Sequence, residues 1–209
     1  MMALFSQAAG FGLAAGTSVG PLHTLLMNVT LAYGWRSGLW IALSPLATDL
    51  PIIGLMLLLI SQLPPAFGPI LSILGAGAVF FIAYRAWREL GHNAGADDAP
   101  VIPPPPRVVL VRGMTMNFLN PAPYIFWGTI TGPLLRQAMQ ASVLDAALFL
   151  LAFYVPFIGL MVGFMLLFER VRRLNRAVLR GLSVFSVVLM AILGLSLLWS
   201  GLQGLAALQ

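Results

Sequence analysis

The chain has no cysteine, no lysine and only six acidic residues among its 209. Without cysteine there is no disulfide, no thiolate nucleophile and no thiolate metal site. Charged residues make up 8% of the sequence, where soluble domains average about 25%. So few charges cannot cover the surface of a water-soluble fold of this length. What fills the chain instead is apolar: 60% hydrophobic residues and a mean hydropathy of +0.96. A lipid bilayer is the solvent that accepts such a surface, and the expected class is an all-α, polytopic membrane protein.

The eleven basic residues are all arginine, and the pI is near 10.8. They lie between apolar runs rather than along one face, so retention in cytoplasmic loops explains them better than nucleic acid does. The N-terminus lacks a basic leader region, and its uncharged run over residues 1–35 exceeds the roughly 7–15 residues of a signal core. It reads as a first membrane span. No motif calls for a cofactor.

A span needs about 20 apolar residues. After the first run, a second covers residues 37–62, a third 66–84, a fourth 108–135, a fifth ends at 168 and a sixth covers 181–205. Pro64-Pro65 marks a tight turn. Residues 91–107, with Asp97, Asp98 and four consecutive prolines, form the one break in composition and favour an extended polyproline linker. Three units follow: a three-helix repeat over 1–90, a cytoplasmic linker over 91–107 and a second three-helix repeat over 108–209. Ten of the eleven arginines fall after the first, third and fifth spans, and only Arg136 is on the other side. That asymmetry predicts both termini outside the cell. Three spans per half give the second half the opposite orientation, the inverted-repeat plan of many transporters.

The polar residues deep in these runs are few. Placing each helix by its centre at about 1.5 Å per residue puts Gly20-Pro21, Asp49, Asn120-Pro121 and Pro156 near the midplane. Proline removes an amide donor and frees a carbonyl one turn back. Such freed groups are tolerated at membrane depth only inside protein or beside a wet cavity. The corresponding positions of Gly20-Pro21 and Asn120-Pro121 point to a central transport site, whereas Pro156 reads equally as an ordinary kink. Asp49, bracketed by Pro45 and Pro51, is the only acid deep in a span, at a cost of about 2.5–3.5 kcal/mol. It reads as a proton-coupling group, as the counter-charge of an ammonium substrate, or as a structural aspartate bonded to Thr48, Ser44 or a neighbouring helix. His23, one turn past Gly20, is either a relay or ligand contact or a satisfied packing residue. Asn117 and Asn120, three apart, can share a helix face and offer amides to a zwitterion. Asp145 and Arg136 suggest an interfacial ion pair. Trp35, Trp40, Trp87 and Trp127 fit interfacial belts or helix packing. The arginines after 168 fit topology and lipid headgroups.

Three segments resemble the LysE/RhtB family of bacterial amino-acid exporters: GTSVGPLHTLLMNVTLAYGWRSG at 16–38, LGAGAVFFIAYRAWREL at 74–90 and RGMTMNFLNPAPYIFW at 112–127. The resemblance implies six spans in two inverted three-helix repeats in the inner (plasma) membrane. It also implies proton-driven efflux of amino acids or related small polar metabolites, with no enzymatic activity. It assigns Gly20, Pro21, Asn120 and Pro121 to the breaks and Asp49 to the second-span acid. His23 and Asn117 join them as substrate-binding candidates, with Asp49 as the proton-coupling one. The expected partners are a small polar substrate, protons and membrane lipid; a homo-oligomer stays open. Val19, Ala122-Pro123 and Ser44-Pro45 depart from the family pattern.

Two rival chemistries have a sequence basis. Gly16-Thr17-Ser18-Val19-Gly20 matches G-x-S-x-G, with His23 and Asp49 as conceivable partners. That motif needs a strand–turn–helix context, and small residues inside a span serve close helix packing instead. A divalent metal-ion exporter would want several carboxylates, histidines or cysteines, and only His23 and Asp49 are available in the spans. A scaffold without transport activity is the remaining alternative.

Overall fold

The computed structural model describes residues 2–18, 20–59, 64–93, 102–172 and 176–208. Val19, the linker acids Asp97 and Asp98, and Arg173 lie outside the described residues. The elements are α1 (Met2–Thr17), α2 (Pro21–Tyr33), α3 (Trp35–Leu59), α4 (Phe67–Asn93), α5 (Pro106–Phe118), α6 (Pro121–Ile125), a π-helical stretch (Phe126–Thr131), α7 (Gly132–Ala141), α8 (Val143–Arg172) and α9 (Arg176–Ala206). Four of these, α3, α4, α8 and α9, are each long and apolar enough to cross a membrane. The other two apolar runs are each divided into shorter helices.

Those two divisions fall at Gly20-Pro21 and Asn120-Pro121, and in both the proline opens the following helix at its first position. There the missing amide hydrogen would have had no partner within the helix, and the fixed φ suits a helix start. Prolines elsewhere act differently. Pro45 and Pro51 sit inside an unbroken α3, and Pro156 inside an unbroken α8. Around Pro45 the defect is repaired locally: its absent N–H would have met the Ile41 carbonyl, and the Ser44 hydroxyl donates to that oxygen instead, at 2.8 Å. The fourth apolar run also departs from the single span expected over 108–135. It is four pieces, and its π-helical stretch precedes Pro133, whose ring and missing amide are incompatible with a regular turn onto Thr129. The Thr131 hydroxyl donates to the Phe126 carbonyl at 3.1 Å across that wider turn.

Helix pairing follows a pattern. The most extensive contact is α4 along α9; next come α1 on α8 and α5 on α3. The half-helix preceding each break thus packs on the first membrane-length helix after the other break. Glycine makes both approaches close: a Cβ on Gly12 of α1 would strike the Phe153 carbonyl of α8, and one on Gly113 of α5 would meet Ser44 of α3 at 2.5 Å. The turns into α3 and α8 are both closed by acids. Gly34, at φ 88°, allows the sharp exit from α2, and the Trp35 amide donates to Glu169 at 3.0 Å. Ser142 accepts from the Asp145 amide at 3.0 Å and donates to its carboxylate at 2.7 Å. Asp145 is therefore a capping residue of α8, not the partner of Arg136, whose guanidinium donates to the Leu57 carbonyl.

The core is aromatic where α8 meets the π-helical stretch. Trp127 and Phe153 lie 5.0 Å apart edge to face, and Phe126 and Phe157 extend the cluster. The outer surface is apolar as well: Leu151, Val155, Ile192, Leu195 and Trp199 are all exposed. In water such faces would be an aggregation surface; against lipid they are the expected solvent contact.

Candidate functional site

Asp49 sits midway along α3 and is only 4% exposed. A buried carboxylate requires donors, and it takes them from the second half of the chain. Asn117, in the last turn of α5, donates to Oδ1 at 2.7 Å, and Tyr154 of α8 donates to Oδ2 at 2.9 Å. The Asn117 amide also donates to Thr48 Oγ1 at 2.7 Å, and Thr48 in turn donates to the Ser44 carbonyl at 3.1 Å. One carboxylate thus ties α3 to α5 and α8, two elements that follow the linker.

The neighbours of these donors restrict their rotation. Trp127 stacks on Tyr154 with ring centroids 6.3 Å apart and planes 27° from parallel, and Phe153 closes the edge of both. Tyr124 donates its hydroxyl to the Phe118 carbonyl at 2.9 Å, so the open end of α5 is satisfied. On its other side Trp127 lines a cleft of 250 Å³ with Arg136, Gln137 and Gln140 of α7.

The two breaks differ in what they leave open. At the second, the Asn120 amide donates to the Asn117 carbonyl at 3.2 Å, and Asn120 Oδ1 accepts from the Ala122 amide at 3.1 Å. Pro121 and Pro123 have no amide hydrogen. All four leading positions of α6 are therefore spoken for, and α4 presses against the gap: a Cβ on Gly75 would strike the Leu119 carbonyl. At the first break Gly20, in extended backbone at φ −137° and ψ −172°, gives α2 no side-chain cap, and a Cβ added there would meet nothing within 4 Å. His23 reaches back across the gap. Its Nε2 lies 2.8 Å from the Gly16 carbonyl, which only accepts, so Nε2 carries the hydrogen.

Of the residues singled out from the sequence, Asp49 and Asn117 meet, while Gly20, Pro21 and His23 form a separate group at the first break. Asn120 and Pro121 shape the second break. Asn117 and Asn120 do not share a helix face, because α5 ends between them. Tyr154 is the partner of Asp49 that the sequence does not single out, and Trp127 stacks on it. A phenol in the middle of an apolar span, where no water reaches it, was the available signal for Tyr154. Trp127, 2% exposed, belongs to no interfacial belt, whereas Trp35, Trp40 and Trp87 are all exposed.

The rival chemistries find little here. Ser18 is exposed beyond α1, His23 is engaged with Gly16, and Asp49 with Asn117 and Tyr154, so the three do not form a relay. Among the described residues no three acids, histidines or cysteines converge.

No curated protein and no solved structure matches the chain at a significant level. A family model, the LysE type translocator, matches residues 13–201, which include both breaks, Asp49 and all of its partners. With four membrane-length helices, two proline-opened breaks and a buried carboxylate, this chain belongs to the LysE type translocator family of membrane transport proteins.

Proposed function

We propose that the protein exports amino acids or related small polar metabolites from the cytoplasm, with Asp49 coupling efflux to protons. In this reading the chain crosses the plasma membrane six times, as two inverted three-helix repeats joined by the linker, with both termini outside. The crossed pairing of α1 with α8 and α5 with α3 supports the repeats, since exchanging the halves turns one contact into the other. The arginine asymmetry supports the orientation.

The observation that carries the mechanism is that Asp49, from the first half, is held by Asn117 and Tyr154, both from the second. A charged carboxylate accepts these bonds strongly. Its protonated form accepts more weakly and itself becomes a donor. Protonation then changes the grip between the halves and biases their rocking. Substrate docks at the first break, where the uncapped start of α2 presents its positive end to a carboxylate. Asn120 and Pro121 act by fixing the second break rather than by touching substrate, and Trp127 stands between Asp49 and the outer cleft.

Metabolite profiling of medium from overexpressing and deleted cells identifies the substrate. Reconstituted Asp49→Asn protein is then expected to insert normally yet lose gradient-driven efflux entirely. Undiminished, still pH-dependent efflux from that variant would remove Asp49 from the mechanism.

A further inference from the structure

A second polar feature lies apart from the Asp49 cluster, in a cleft of 440 Å³ between α2, α4 and α5. Arg85 of α4 and Arg107 and Arg112 of α5 line one part of it, and among the described residues lining it there is no carboxylate. Leu25, Phe81, Ile82, Ala86, Val108 and Val111 make up its apolar part, and Asn28 and Thr115 add two neutral polar side chains. Arg85 stands four residues from Phe81, and Arg112 four from Val108, so charge and hydrocarbon alternate over one helical turn, about 6 Å. Phe81 is 62% exposed and Val111 58%, which opens the cleft sideways onto the surface that faces lipid rather than toward the interior.

We propose that this cleft is a binding site for an anionic phospholipid, with the phosphate held by the Arg85 and Arg107 guanidiniums and the upper part of an acyl chain lying along Phe81, Val108 and Val111. Guanidinium forks match phosphate oxygens in pairs, and basic pockets between membrane helices are suited to such headgroups. A small soluble anion would satisfy the arginines and leave the apolar part unfilled; an amphiphile fills both. The site is independent of the export reading, because it rests on membrane embedding alone.

Native mass spectrometry of the full-length protein, exchanged into micelles containing phosphatidylglycerol or phosphatidylcholine, tests it. The wild type is expected to retain phosphatidylglycerol preferentially. Arg85→Gln and Arg107→Gln are each expected to weaken that retention about fivefold, while Arg36→Gln, an exposed arginine beside Trp35, leaves it unchanged. Equal retention of the two lipids, or retention unaffected by both substitutions, would overturn the proposal. So would displacement of the lipid by inorganic phosphate where sodium chloride of the same ionic strength has no effect, since that outcome marks a soluble-anion site.

Discussion

The two broken runs share a backbone plan and differ in chemistry. In each, a half-helix ends and a proline a few positions later restarts the chain. Yet the second break is closed by its own residues: Asn120 caps α6, two prolines remove donors, Tyr124 covers the Phe118 carbonyl, and α4 packs against the gap. The first break has glycine as its cap residue, open space beside it and one imidazole spanning it. A fold can thus be nearly symmetric in how helices pair while placing its reactive groups unequally. The sealed break has the Asp49 cluster beside it through Asn117, and in the proposed function the unsealed one is the part that meets the ligand.

The largest effect is expected from removing what the halves share. Gly12→Val drives a methyl into the Phe153 carbonyl, a backbone atom that cannot rotate away, and is expected to cost about 3 kcal/mol, the upper range for overpacking. Gly113→Val meets the Ser44 side chain and is expected to cost less, about 1–2 kcal/mol. Gly10→Val, with nothing nearby, is the control. Thermal unfolding in detergent ranks the three; equal melting temperatures for the Gly12 and Gly10 variants would break the proposed mirror relation between the α1–α8 and α5–α3 contacts.

The next effect isolates the cluster. Asn117→Leu keeps the side-chain volume but takes from Asp49 its Oδ1 donor, at an expected cost of about 2 kcal/mol because the acceptor stays buried. Combined with Asp49→Asn it is expected to cost less than the sum of the two changes, the sign of direct coupling. Strict additivity in a double-mutant cycle would show that the 2.7 Å contact contributes nothing to stability.

Much of this was readable in the residues, and the unread part has a physical cause. Proline next to glycine or asparagine deep in an apolar run is a signal that backbone chemistry makes unambiguous, and both breaks fall there. The lone acid at position 49 is equally plain, because its insertion cost demands a reason. Pro45, Pro51 and Pro156 look the same in sequence but do not break their helices; around Pro45 a serine one residue earlier supplies the missing donor. Tyr154 offered only its phenol as a cue, because the ring of an aromatic in a hydrophobic run has the same appearance whether it faces lipid or a buried carboxylate, and Trp127, stacked on it, offered none. Which side it faces depends on the rotation of α8 and on the π-helical turn, both set by packing between distant segments. The count of membrane-length helices differs from the count of apolar runs for a related reason: a run that is broken twice over, as at residues 106–141, contains no single long helix.

The smallest structural effect, and the most informative, comes from making the first break resemble the second. Gly20→Asn places Asn-Pro at both positions. Gly20 already has the extended backbone that a residue before proline prefers, and there is room for the side chain. The new carboxamide oxygen is positioned to accept from the amides at the start of α2, as Asn120 does for α6. Stability is therefore expected to change by less than about 1 kcal/mol, in the favourable direction. Transport is expected to suffer for the same reason, since the cap occupies the helix end at which substrate would dock: KM rises severalfold while the maximal rate, and its dependence on the proton gradient through Asp49, holds. Gly20→Ala separates bulk from capping, because alanine fills the same space without an acceptor and is expected to leave KM near the wild-type value. A fall in maximal rate with unchanged KM in Gly20→Asn would assign the first break to the moving parts rather than to ligand contact. The functional contrast between the two breaks would then disappear, leaving only the difference in how each is packed.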